Sequence, residues 1–268
     1  MNMKKEINLG GIFIPLVTPF YQGKFDSKSM SKLIDSVNNY VDGFVPCLSS
    51  GEGDKLTLEV WIKIINFICN KTSKPVFAGI LKKGELEIVK YVKKANSLPC
   101  KGIVIPTLYK SDKENLRYIG RISKLTGKEI IVYNTESNPF RSLNSIKKLD
   151  GIHNIVALKD SSTKIVNFRS LVKLRKINKL KLCLLQGMEN LLLESGGCDG
   201  YILSLINTEP KLCSHMFNRQ DKFTNNKILD TFYKQNLGGK WYITIKAILF
   251  SRGTISSAEE VIQEVKLK

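Results

Sequence analysis

Short apolar runs alternate along the chain with longer stretches in which apolar residues recur every three or four positions. The runs are Gly11 to Val17, Gly43 to Leu48, Pro75 to Ile80, Gly102 to Pro106, Glu129 to Tyr133, Asn154 to Asp160, Leu180 to Leu185 and Gly200 to Ser204. A run this short and this apolar reads as a parallel strand covered on both faces. The stretches between carry helical spacing. Ser27 to Tyr40 places Met30, Leu33, Ile34 and Val37 on one face, and Thr57 to Cys69 does the same with Trp61, Ile64, Ile65 and Ile68. Lys83 to Asn96, Asp112 to Leu125, Leu143 to Leu149 and Thr163 to Ile177 repeat the pattern, with shorter versions at Met188 to Glu194 and Pro210 to Met216. Eight strand–helix units predict an α/β chain closed as a (β/α)8 TIM barrel. A doubly wound open sheet is the alternative, but no G-x-G-x-x-G turn follows the first strand to support it.

The pattern changes near the end. Residues 1–224 are read as the barrel and residues 225–268 as a short C-terminal helical extension, with helices expected at Ile228 to Tyr233, Trp241 to Phe250 and Ser257 to Val265. A length of 268 residues suits one such domain, since a barrel of this kind takes about 250.

Charge and cysteine usage narrow the partners. Lys+Arg 42 against Asp+Glu 24 gives a net charge of +18. The lysines are spread along the chain, and dense pieces such as Lys173 to Lys181 fit an exposed helix face and its exit loop. A solvated surface comes first, steering of anionic substrates second and a nucleic-acid partner last. Six cysteines at 47, 69, 100, 183, 198 and 213 form no C-x-x-C pair, and there are only two histidines. Neither a zinc site nor a disulfide framework is expected, and a cytoplasmic location fits. Met1 to Asn8 lacks an apolar core with a cleavage site, and no apolar run reaches about 18 residues, so neither a signal peptide nor a membrane partner is expected.

Candidate chemistry collects just after the strands, where barrel enzymes keep it. Asn154-Ile155-Val156-Ala157-Leu158-Lys159-Asp160 delivers a lysine to a strand end. Burial of an amine favours its neutral, nucleophilic form, the usual origin of lysines that attack carbonyls. A lysine that ends a strand and points to solvent is the plainer alternative. Ser49-Ser50-Gly51-Glu52 makes a tight turn suited to a carboxylate, or simply caps a helix. Tyr133 can relay a proton beside the barrel axis, or serve as a core tyrosine with a satisfied hydroxyl.

Taken together, Pro15-Leu16-Val17-Thr18-Pro19-Phe20, Ser49-Ser50-Gly51-Glu52 with Leu56-Thr57, Tyr133-Asn134, Ile155 to Asp160, Gly197-x-Asp199-Gly200 and Asn207-x-x-Pro210 give the chain a clear likeness. It resembles the dihydrodipicolinate synthase / N-acetylneuraminate lyase family of Schiff-base aldolases. The resemblance implies a tetramer-forming barrel that uses pyruvate and no metal or organic cofactor, so a homo-oligomer, dimer or tetramer, acting on pyruvate and an aldehyde or on a 2-keto acid is expected. By the same resemblance Lys159 is the Schiff-base lysine, Tyr133 relays protons, and Ser50 hydrogen-bonds that tyrosine. Ser49, Ser50 and Gly51 hold the pyruvate carboxylate, and the Ile202 carbonyl faces the pyruvate site.

Two departures stand out. Where the family reads Pro-aromatic-Tyr this chain reads Pro106-Thr107-Leu108-Tyr109, so Tyr109 serves only through a one-residue shift. After Tyr133-Asn134 the synthase branch has x-Pro-x-Arg-Thr. Here Pro139-x-Arg141-Ser142 restores that motif only through a three-residue insertion, and Arg141 would then grip the second substrate's carboxylate. The leading expectation is condensation of pyruvate with aspartate semialdehyde. Cleavage of a sugar-like 2-keto acid is the second, and a barrel that binds a keto acid or a partner without turnover is the third.

Overall fold

A computed structural model of the chain describes residues 9–219, 222–235 and 240–261. Eight parallel strands form the barrel: β1 (Gly11–Ile14), β4 (Gly43–Phe44), β5 (Phe77–Gly79), β6 (Gly102–Pro106), β7 (Glu129–Asn134), β8 (Ile155–Asp160), β9 (Cys183–Gln186) and β10 (Gly200–Tyr201). Their order is β4-β1-β10-β9-β8-β7-β6-β5, and a parallel bridge between Phe44 and Val76 joins the two ends. The expected barrel is therefore the observed one. A small hairpin of β2 (Phe20–Tyr21) and β3 (Lys24–Phe25) adds to it, outside the expected elements. Its turn residues Gln22 and Gly23 both take positive φ, the geometry of a primed two-residue turn, but Gln-Gly is a weak signal for one.

Helices α1 (Ser27–Val37), α2 (Leu58–Lys71), α3 (Glu85–Ala95), α4 (Asp112–Leu125), α5 (Leu143–Leu149) and α6 (Ile165–Lys176) lie on the expected segments. Asp26, Thr57, Ser111 and Ser142 cap four of them by accepting a backbone N–H. Each such cap contributes about 1 kcal/mol and fixes where the helix begins. Glu189–Glu194 forms a 3-10 helix. The C-terminal part holds α7 (Pro210–Arg219), α8 (Lys222–Lys234) and α9 (Trp241–Ser251), so the division drawn after residue 224 falls inside α8.

The helix expected over Ser257 to Val265 is absent from residues 257–261, and the rest of that segment, like Met1 to Asn8, lies outside the described residues. Its groups are committed to the barrel instead. Glu259 accepts the N–H groups of Gln22 and Gly23, Glu260 pairs with Lys55 and Lys240, and the Val261 N–H reaches Glu52. Among the described residues no helix is long and apolar enough to cross a membrane.

Two apolar layers result. Outside the strands, Leu33, Ile64, Ile119, Phe168 and their neighbours fill the space under the helices. Inside, Phe13, Val45, Phe77, Val104, Ile131, Ala157, Leu185 and Ile202 plug the barrel, with Phe13 and Phe77 edge to face at 5.9 Å. The plug leaves the C-terminal ends of the strands as the floor of any site.

Candidate active site

The strand ladder decides which side chains meet. β7 and β8 pair Tyr133 with Lys159 and Asn134 with Asp160. Ile131 and Ala157 belong to the interior plug, and side chains two residues apart share a face of a strand. Tyr133 and Lys159 therefore both project into the top of the barrel. Lys159 is buried, with 5% of its surface exposed, and its Nζ lies 4.0 Å from the centroid of the Tyr133 ring. Burial alone would raise the Tyr133 phenol. The Lys159 charge, with the polar groups of Ser49, Ser161 and Lys159 close by, outweighs it, and the phenol is held below its usual range. Gly187, just past β9, makes room for the amine's stem. A Cβ there would stand 2.8 Å from Lys159 Cε and 2.3 Å from Ser161 Oγ. Ser161 Oγ itself is buried without a hydrogen bond of good geometry.

The neighbouring pair locks the same strand ends from the other face. Asn134 Nδ2 donates to Asp160 Oδ1 at 2.6 Å, and Asn134 Oδ1 accepts the Phe140 N–H at 2.9 Å. Burial pushes the Asp160 carboxyl up, against hydrogen bonds from Asn134 and Ser162 that pull it down.

The loop after β4 forms the opposite wall. It closes on itself through Glu52 N–H to the Ser49 carbonyl at 3.1 Å and Gly53 N–H to the Leu48 carbonyl at 3.0 Å. Gly51 is required there, because a Cβ would lie 2.8 Å from the Leu16 carbonyl and 2.9 Å from the Cys47 nitrogen. The two serines have different surroundings. Ser49 is the one that helps hold the Tyr133 phenol down, while the Ser50 hydroxyl, expected on that tyrosine, has other neighbours. Ser50 Oγ lies 3.0 Å from Ser204 Oγ and accepts the Trp241 indole N–H at 3.3 Å. Glu52 is fully buried and paired with the equally buried Lys246 of α9.

Behind the lysine, Ile202 contributes its side chain to the interior plug, and its N–H bonds the Gln186 carbonyl at 2.9 Å. Glu189 is buried nearby and accepts the Leu205 N–H at 3.1 Å. Burial raises its carboxyl, while N–H groups of Leu205, Glu189 and Ser204 and the Lys159 charge pull the other way, and burial wins.

Two further candidates have partners of their own in the loops and helices. Tyr109 donates its hydroxyl to Glu85 Oε2 at 2.7 Å, and Glu85 is gripped by both Arg121 Nε and Nη2 at 2.7 Å. This commits Tyr109 to α3 and α4, and Leu108 packs under the helices too. Arg141 is exposed, and its guanidinium joins no ion pair among the described residues. Its backbone N–H is held by Asp112 at 2.8 Å, while the preceding Phe140 is buried and turns the arginine outward. Conversely, the structure adds Ser161, Gly187, Glu189, Ser204 and Trp241 to the surroundings of the site. Position relative to a strand end could have found the first four. Nothing local could have brought in Trp241. Among the described residues no cluster of His, Cys, Asp and Glu is arranged to hold a metal ion.

Comparison with known proteins points the same way. The model of the dihydrodipicolinate synthetase family matches residues 8–260. The 4-hydroxy-tetrahydrodipicolinate synthase of Thermodesulfovibrio yellowstonii is 29% identical over 220 residues, 79% of this chain and 75% of the relative. That of Wigglesworthia glossinidia brevipalpis is 30% identical over 232 residues, 81% and 74% of the two chains. Among solved structures, a chain described as the first monomeric dihydrodipicolinate synthase variant superposes with a TM-score of 0.87 at 21% identity, covering 100% of this chain and 93% of its own. YagE of E. coli K12, a member of the dihydrodipicolinic acid synthase family solved with pyruvate, gives 0.85 at 21% identity, covering 97% and 94%.

Proposed function

The chain belongs to the dihydrodipicolinate synthetase family, and from that premise we propose a pyruvate-dependent class I aldolase or synthase working through a Schiff base on Lys159. The observation that carries the reading is the pairing of Lys159 with Tyr133 across β8 and β7, amine against phenol at the buried top of the barrel. The neutral amine adds to the ketone carbon of pyruvate, and loss of water leaves an imine. The imine draws electrons from the adjacent methyl, which gives up a proton and becomes a nucleophilic enamine carbon. That carbon forms the new C–C bond to an aldehyde, whose oxygen takes up a proton.

Tyr133 moves these protons on this reading, and the Lys159 charge beside it, which lowers the phenol's pKa, supports that role. Ser49 orients it. Ser49, Ser50 and Gly51 supply the wall for the pyruvate carboxylate, and Ile202 backs the same pocket from just past β10. No metal or organic cofactor enters the proposal, because the iminium itself is the electron sink.

The aldehyde we favour is aspartate semialdehyde, in line with the activity named for the curated relatives. The exposed Arg141 is the observation that keeps a second substrate in view, a sugar-like 2-keto acid, whose hydroxylated chain needs no guanidinium fork. Assembly as a dimer or tetramer belongs to the same reading.

The test is reduction with borohydride in the presence of pyruvate, followed by peptide mass spectrometry. The expected result is one reduced pyruvyl adduct on Lys159. An adduct on another lysine sinks the mechanism, and none at all leaves a binding-only barrel. Product formation from pyruvate with aspartate semialdehyde, set against cleavage of sugar-derived 2-keto acids, then separates the substrates.

A further inference from the structure

We infer that Trp241, at the start of α9, is a positioning residue for the keto-acid carboxylate and acts by fixing the direction of the Ser50 hydroxyl. The inference rests on the Schiff-base reading and deepens it at the carboxylate end of the site. Ser50 is buried, and its Oγ has two polar neighbours, Ser204 Oγ at 3.0 Å and Trp241 Nε1 at 3.3 Å. An indole N–H only donates, whereas a serine hydroxyl has one proton and two lone pairs. Trp241 therefore occupies a lone pair of Ser50 and never its proton. Ser204 can occupy the second by rotating its own hydroxyl. The Ser50 proton is then left to point at a third partner, and a carboxylate oxygen, which only accepts, is the group that suits it.

The placement of Trp241 is itself fixed. Five residues further along α9, Lys246 is fully buried and bonded to Glu52, two residues after Ser50, and to the Glu259 carbonyl. The Val261 N–H bonds the other oxygen of Glu52 at 2.9 Å. The helix thus holds the carboxylate loop at two points, one charged and one through the indole. On this reading the tail is part of the site, though it lies 191 residues along the chain from Ser50.

The experiment compares the full-length protein with Trp241→Phe, which keeps a ring and removes the donor, with Ser50→Ala and with the double variant. The readout is the pyruvate concentration that gives half-maximal borohydride trapping, alongside the plateau rate and the melting temperature. Trp241→Phe should raise half-saturation about 3–10-fold, the range of one neutral hydrogen bond, and change the plateau rate far less. In the Ser50→Ala background it should add nothing, since its effect passes through Ser50. Additive effects in the double variant, or an unchanged half-saturation, overturn the inference.

A second readout does not need the Schiff base. The chain has two tryptophans, and the other, Trp61, is buried in the core with its indole on the Gly79 carbonyl. Pyruvate should change the emission of the parent protein and leave that of Trp241→Phe unaltered. A response retained in Trp241→Phe, or none in the parent protein, counts against the inference. A response with no adduct counts against the Schiff-base reading alone.

Discussion

Two sides of the barrel mouth are built by different means. On one side, β7 and β8 are six residues each and, after a register shift between Ile130 and Ile131, pair residue for residue from Ile131 and Ala157 to their last residues, so Tyr133 and Lys159 are placed by a backbone ladder. On the other, β4 and β10 are two residues each. β4 is cut short by Pro46, which has no N–H to give, and by Cys47 at φ 60, which turns the chain away from the sheet. The loop beyond Cys47 is held by side chains from afar: Thr18 on the Gly51 carbonyl, Ser204 and Trp241 on Ser50, Lys246 on Glu52. On the proposed mechanism the covalent chemistry belongs to the ladder side and substrate grip to the side tied to the tail. Damage to the two sides should therefore look different.

The largest effect is expected on the ladder side. Lys159→Ala should abolish pyruvate trapping completely while circular dichroism and the melting curve stay close to those of the parent. The substitution removes one amine and leaves every rung of the β7–β8 ladder in place. Residual trapping at the site would show that another amine does the chemistry.

Next comes the tail. Lys246→Met removes the fully buried one of the two lysines paired with Glu52, and leaves Lys55 on the other carboxylate oxygen at 2.9 Å. Breaking a buried pair with no second partner costs roughly 3–5 kcal/mol, so the loss here is expected below that range, whereas replacing both partners is often close to neutral. Denaturant unfolding should show such a loss for Lys246→Met and substantial recovery when Glu52→Gln is added. Any native fraction that remains should bind pyruvate weakly yet still trap it on Lys159. Equal stability of the single and double variants would show that the pair does not anchor the loop.

The same contrast explains how much can be read from the sequence. The ladder side is legible because apolar runs mark buried strands and a side chain's parity along a strand sets where it points. Lys159 and Tyr133 emerge from that, as do α4 and α5, whose bounds match expectation at both ends. The tail side is not legible. No local pattern says that Trp241 reaches Ser50 or that Lys246 meets Glu52. Spacing alone also cannot choose between Ser49 and Ser50 as partner of Tyr133. The Ser257 to Val265 segment has helical composition, but Glu259, Glu260 and the Val261 N–H find partners on the barrel that outweigh local propensity. The Tyr109 hydroxyl has a partner that no local pattern announces, the Glu85–Arg121 pair.

A smaller effect concerns pH. Asp160 on the ladder and Glu189 behind the lysine both have carboxyls raised by burial. A raised carboxyl holds its proton in the folded state after the unfolded chain has released it. Between the ordinary carboxylate range, about pH 4, and the raised value, the folded form binds more protons, so stability falls as pH rises through that window. Glu189→Gln keeps an oxygen for the Leu205 N–H and removes the titration. Its stability should decline less than the parent's as pH rises above the ordinary carboxylate range, about pH 4. Parallel curves would show that Glu189 is charged in both states.

The smallest effect is expected at Arg141, and its smallness is informative. The side chain is exposed, its loop is anchored by Phe140 in the core and by Asp112 on the Arg141 and Ser142 N–H groups, and none of these contacts involves the guanidinium. Exposed side chains without partners usually contribute less than about 0.5 kcal/mol. Arg141→Ala should accordingly leave stability and pyruvate trapping unchanged and shift half-saturation by aspartate semialdehyde less than about twofold, the equivalent of that energy. A guanidinium engaged with the second substrate's carboxylate would instead contribute about 1.5–3 kcal/mol, a loss of tenfold or more. That outcome would mean the loop between β7 and α5 swings Arg141 over the mouth when the aldehyde binds, extending the grip on substrate to the ladder side. The expected near-silence leaves the ladder side to chemistry alone, and makes the direct substrate comparison, not the arginine, the measurement that separates the synthase from the sugar-acid lyase.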